Sequence, residues 1–233
     1  MFWKKSKPRA PADEESCANA LFHALAESLK RDGRIRAEDI ITAAASITGE
    51  LCIEAAGDFN PRKHRFVPGS RVFSEKVNEL FSGNSANDGI EAVPAESIVG
   101  TLRDKVLAAG YAKSDLPSLK SIFEHFASNI GKPSDWGKVP LSVPAGNTPL
   151  ILPFRVAYET RSTVDRLFQP LTNPQEKLRA AVLTLSHVLI VVQQAIDKKI
   201  ALLLALETVN GMAKTAPMTD EAMAAAQKKS SDQ

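Results

Sequence analysis

From Ala180 to Ile196 the chain runs for 17 residues without an Asp, Glu, Lys or Arg. An uncharged run of that length has two homes: a bilayer, which takes about 17–25 apolar residues, or the centre of a helical protein. Thr184, Ser186, His187, Gln193 and Gln194 interrupt it, and Asp197, Lys198 and Lys199 end it sharply. Removing those polar groups from water is costly, so integral membrane insertion is disfavoured and a buried central helix is expected. Leu178, Val182, Leu185, Leu189, Val192, Ile196, Leu203 and Leu206 nearly keep a three–four alternation, and Leu183, Ile190, Leu202 and Leu204 widen the apolar surface. Residues 173–212 are read as one long helix or two joined ones, with an apolar spine at 178–206. Two uses of that surface compete: the internal spine of a monomer, or a seam that pairs two copies of the chain.

The flanking sequence is helical in period almost throughout. Residues 13–31 place Ala18, Leu21, Phe22, Leu25 and Leu29 on one face, with Asp13, Glu14 and Glu15 in the first turn and Gly33 after the end. Residues 37–56 carry Ile40, Ile41, Ala44, Ile47, Leu51 and Ile53, and their many alanines predict close packing against a neighbour. A third helix is expected to start at a Ser70 N-cap and to run through Phe81 to a stop at Gly83. Pro94 is expected to open a fourth, closed by Gly110, and Asp115 a fifth, closed by Gly131. A further helix is read at 153–169.

Residues 132–149 break the pattern with Pro133, Gly137, Pro140, Pro144, Gly146 and Pro149. A long irregular stretch of this kind suits a boundary or a lid over a site. The expected fold is therefore all-α: a single helical domain at 13–212, of about six or seven helices packed around the long apolar C-terminal helix. A basic tail at 1–12 and a polar tail at 213–233 flank it. No strand is expected beyond short extended pieces at 139–143 and 150–152.

Composition removes several function classes. Hydrophobic residues make up 44% of the chain, too much for disorder of the whole. A net charge of +2 gives no electrostatic argument for nucleic acid, which is disfavoured as a partner. The start, Met1 to Arg9, is basic but no apolar core follows it, so a secretory signal is not expected. Cys17 and Cys52 lack Cys-x-x-Cys spacing, which argues against a disulfide framework or zinc knuckle and suits two small, partly buried thiols in a reducing compartment, the cytoplasm. His23, His64, His125 and His187 lie on four segments, none with a ligand partner at helical spacing, so no metal is assigned. Walker, dinucleotide-turn and nucleophile-elbow patterns are absent; no catalytic residue and no cofactor is assigned.

Two constellations remain. Arg62, Lys63, His64, Arg65 and Arg71 cluster beside Ser70 at a predicted helix start, where free backbone amides and arginines favour an anion. The plainer alternative is a solvated loop pairing with Asp58, Glu75 or Glu79. In the helix at 153–169, Arg161 falls on an apolar face with Tyr158 and Asp165 near it. It either grips a ligand beside the 132–149 loop or pairs with Asp165 along its own helix. The function expected is a non-enzymatic interaction or regulatory protein, with a protein partner or a second copy of itself. The alternatives are an anion or phosphate-ligand module using 62–71 and, last, an enzyme with a site near Arg161.

Overall fold

Helix boundaries follow the caps written into the chain. The computed structural model describes residues 13–58, 70–83, 89–129 and 138–221. Helix α1 (Glu14–Ser28) starts at Asp13, whose carboxylate accepts the Ser16 amide at 2.8 Å. Helix α2 (Ala37–Ala56) ends at Gly57, which takes the left-handed conformation at φ 71°. Helix α3 (Glu75–Ser82) is capped by Ser74, and α4 (Ile98–Ala108) by Ser97. Helix α5 (Leu119–Asn129) follows a short 3-10 turn at Lys113–Asp115. Pro153 opens α6 (Pro153–Leu167). A reciprocal Asn173–Glu176 capping box opens α7 (Pro174–Val192), and Asp197 caps α8 (Lys198–Ala213) through the Ile200 amide.

The all-α class stands: eight α-helices are present among the described residues, and backbone pairing there is limited to two isolated bridges. Three expectations are corrected. Six or seven helices become eight, and of the two readings of 173–212, one long helix or two joined ones, the second holds. Asp197 turns its carboxylate onto the Ile200 amide and starts a new helix, while Ala195 and Ile196 both donate back to the Val192 carbonyl. Ser70 is not an N-cap; the helix begins at Glu75, and Ser70 to Val72 are extended. Val72 donates to the Lys214 carbonyl at 2.9 Å and Ala216 to the Ser70 carbonyl at 2.8 Å, closing an antiparallel bridge. Pro94 does not open α4 either, since the helix begins four residues later at Ile98, where the Ser97 hydroxyl accepts the Gly100 amide.

The centre of the fold is α2 rather than the C-terminal spine. Every residue of α2 except Glu54 is buried. Its principal neighbours are α8 and α7, with α6 next; α1 and α4 cover α7, and α5 covers α8. Ala43, Ala44, Ala45, Ser46, Thr48 and Gly49 keep the helix narrow on all sides, so backbones approach closely. A β-carbon on Gly49 would stand 2.5 Å from the Met212 Cβ and 2.8 Å from the Val209 carbonyl oxygen. Two hydroxyls of α2 turn to backbone: Ser46 donates to the Thr42 carbonyl, and Thr48 to those of Ala44 and Ala181. Leu189 and Val192, which the sequence offered as a seam between two copies, are covered within one chain.

The irregular segment 138–152 is strapped across this core by acidic side chains. Ser142 donates its amide and its hydroxyl to Glu207 at 2.8 and 2.5 Å. Asn147 donates to Glu38 at 3.0 Å, the Leu150 amide to Asp39 at 2.7 Å, and Arg36 to the Gly146 carbonyl at 3.0 Å. Val139 lies against Gly211, where a β-carbon would stand 2.7 Å from its own. Beyond α8 the chain does not leave as a polar tail: Thr215, Ala216 and Met218 are buried. No helix among the described residues is long and apolar enough to cross a membrane.

The Gly49 contact is directly checkable. Helix propensity alone favours Gly49→Ala by about 1 kcal/mol, whereas overpacking costs about 1–3 kcal/mol. The blocking neighbours are a Cβ and backbone, which cannot swing aside, so net destabilisation is expected in chemical denaturation. Gly146→Ala, with open space around the new carbon, should be close to neutral. A Gly49→Ala protein as stable as the parent would refute the α2–α8 contact.

Candidate functional site

Lys214 is the sole charged residue between Glu207 and Asp220. It follows the last turn of α8, and its carbonyl is held by the Val72 amide. That anchoring directs the side chain towards α3 and α5. The Lys214 ammonium lies 4.1 Å from the Phe123 ring centroid and 5.9 Å from that of Phe81. The two rings meet edge to face, with centroids 5.8 Å apart.

Lys214 forms part of the wall of a cavity of about 420 Å³ between the 70–74 segment, α3 and α5. Val72, Phe73, Phe123, Phe126 and Ala127 make most of its surface, with Ser74, Asn78 and Ser82 as polar groups. Phe73 is 84% exposed, an apolar ring standing in solvent at the mouth. Arg71 completes the lining, and its guanidinium donates to the Ala127 carbonyl at 3.3 Å.

Burial pushes the Lys214 amine down to about 8 from an ordinary 10.5. No carboxylate among the described residues pairs with it. The Cys52 thiol is fully buried, and burial pushes it up to about 12, so it stays protonated and inert. What the cavity offers is one cation withdrawn from water, held over aromatic faces, on an otherwise apolar wall.

The residues expected from sequence are distributed differently. Of the basic cluster, Arg62, Lys63, His64 and Arg65 lie outside the described residues. Arg71 reaches the cavity, and Ser70 serves the backbone bridge instead of a helix start. Asp58 pairs with Lys76 at 3.0 Å and accepts from Ser74.

Arg161 is held from another helix. Its guanidinium meets Glu50 of α2 at 2.7 Å, donates to the Met218 carbonyl at 3.0 Å and sits 5.3 Å from the Tyr158 ring centroid. Tyr158 donates to Asp220 at 2.8 Å. With side chains 17% and 7% exposed, Arg161 and Glu50 form a buried lock tying α6 to α2 and to the C-terminal segment. Among the described residues the histidines do not gather: His187 meets Glu15, His125 lies beside Asn129, and His23 packs on Phe22. Among the described residues no three metal-ligating side chains converge.

Sequence reasoning missed Lys214 because it looked for clusters of charge. The usable signal was the reverse, a single lysine inside an uncharged stretch from Thr208 to Thr219. No family model, no curated protein and no solved structure matches this chain.

Arg161→Met removes the guanidinium that Glu50 meets across α2 and α6 and should cost about 3–5 kcal/mol in denaturant unfolding. Adding Glu50→Gln should recover part of that loss; a single variant as stable as the parent would show that the pair is not buried. Glu207 tests the strap. Burial raises its pKa, and the two Ser142 hydrogen bonds only partly offset this. A carboxyl raised in the folded state penalises folding above its folded pKa, and the penalty fades as pH falls through that value. Glu207→Gln should therefore gain stability relative to the parent at pH 8 and lose that advantage as pH falls into the ordinary carboxylate range. An advantage that does not vary with pH would contradict the raised carboxyl.

Proposed function

We propose that this protein is a non-enzymatic binding protein whose ligand is a small amphipathic monoanion. Its apolar body lies against Phe73, Phe123 and Phe126, and its acid group meets Lys214. The observation that carries this reading is the Lys214 ammonium, largely withdrawn from water at an apolar cavity with no carboxylate partner among the described residues. An uncompensated cation in such a place is costly, and a ligand anion relieves that cost at the moment of binding. The cavity volume falls within the range of about 300–1,000 Å³ usual for small-molecule sites. A straight-chain carboxylate has the matching chemistry: one charge, no further polar groups and a flexible apolar tail. The reading keeps the anion-binding expectation but moves its centre from the 62–71 loop to Lys214, with Arg71 common to both. Two buried, free thiols suit a reducing compartment such as the cytoplasm.

Decanoate should bind the full chain in titration calorimetry and raise its melting temperature. A charge-assisted contact is worth about 1.5–3 kcal/mol, so Lys214→Met should weaken decanoate roughly 10- to 100-fold. Decanol, with the same tail and no charge, should bind weakly to both proteins. Equal decanoate affinity in parent and variant, or none in either, would end this reading.

A further inference from the structure

Taking the cavity as a ligand site, as proposed above, we propose that Lys214 also captures apolar aldehydes covalently and reversibly as imines. In this step Nζ attacks the aldehyde carbon, so a C–N bond forms and the carbonyl π bond opens to a carbinolamine. The carbinolamine then expels its oxygen as water, carrying both protons of the amine, and leaves a carbon–nitrogen double bond. Nothing is oxidised or reduced, and no co-reactant beyond the aldehyde is needed.

Three features of the site support this chemistry. An amine becomes nucleophilic when no carboxylate holds it as an ammonium, and none does so here among the described residues. The apolar wall formed by Val72, Phe123 and Phe126 seats a hydrocarbon tail and disfavours the water that would reverse the condensation. The amine stands at the wall, 4.1 Å from the centre of the Phe123 ring, so a tail lying along that ring brings its carbonyl end to Nζ. With the amine lowered to about 8, its neutral fraction near pH 8 is on the order of 100-fold that of a surface lysine. Lower basicity gives back some of that advantage as weaker nucleophilicity. The carboxylate and the aldehyde thus compete for one nitrogen, the first as ion-pair partner of its charged form and the second as electrophile for its neutral form.

The test treats the full chain with octanal at pH 8 in the presence of cyanoborohydride, which reduces imines to stable amines, and maps the modified peptides by mass spectrometry. Labelling of Lys214 at least tenfold faster than that of the exposed Lys120 is expected, with excess decanoate suppressing the Lys214 adduct alone. Lys214 labelled no faster than Lys120 would overturn the proposal, even if decanoate binds. Selective labelling that decanoate does not suppress would uphold the imine while counting against the carboxylate reading. Lys214→Arg keeps the charge but cannot form an imine, so it should retain decanoate binding and lose the fast adduct. Should that variant not fold, peptide mapping of the unaltered chain decides the matter by itself.

Discussion

The fold depends on how closely α2 can approach the two C-terminal helices. Gly49 against Met212 and Val209 fixes the distance, and the alanines beside it keep the contact flat. At that separation there is no room for long side chains, so the polar groups of the interface are short ones, and several of them turn to backbone carbonyls. Thr48 shows the pattern, donating to Ala44 on its own helix and to Ala181 on α7. The approach has a cost: Thr42, Thr208 and Asn210 are buried with side-chain polar atoms that no protein group satisfies among the described residues. Each such group is worth about 1–3 kcal/mol against folding, so the apolar packing around α2 must outweigh them.

Charge is used sparingly and mostly as fastening. Glu38, Asp39 and Glu207 hold the 138–152 segment, which has little regular hydrogen bonding of its own. Glu50 and Arg161 fasten α6. In each case a buried or half-buried acid meets a donor from a distant part of the chain. Lys214 departs from this pattern: it is a withdrawn cation that faces aromatic rings and a cavity instead of an acid.

Much of the helical skeleton was legible in the sequence because it rests on local rules. The α2 limits coincide with the predicted 37–56, fixed by Gly57 and by an unbroken apolar period. The errors arose where two local signals competed. Ser70 and Ser74 are both serviceable caps, and the choice between them is made by pairing with residues 214–216, far away in sequence. Asp197 was read as the end of an apolar run when it is also the start of α8. The partner of Arg161 could not be foreseen, because Glu50 lies 111 positions away. The cavity was illegible for the same reason: the 70–74 segment, α3, α5 and the end of α8 meet only in the folded chain.

The bridge between Ser70–Val72 and Lys214–Ala216 joins two roles in one short piece of backbone. Val72 and Phe73 are cavity wall, and Lys214 supplies both the carbonyl that anchors the wall and the amine that faces the cavity. Wall and charge therefore move as one body. An occupant that pushes the wall outward strains the same two hydrogen bonds that position the amine, so loss of fit and loss of charge contact come together. For the ligand proposed above, selectivity for girth and selectivity for charge would then be a single mechanical property.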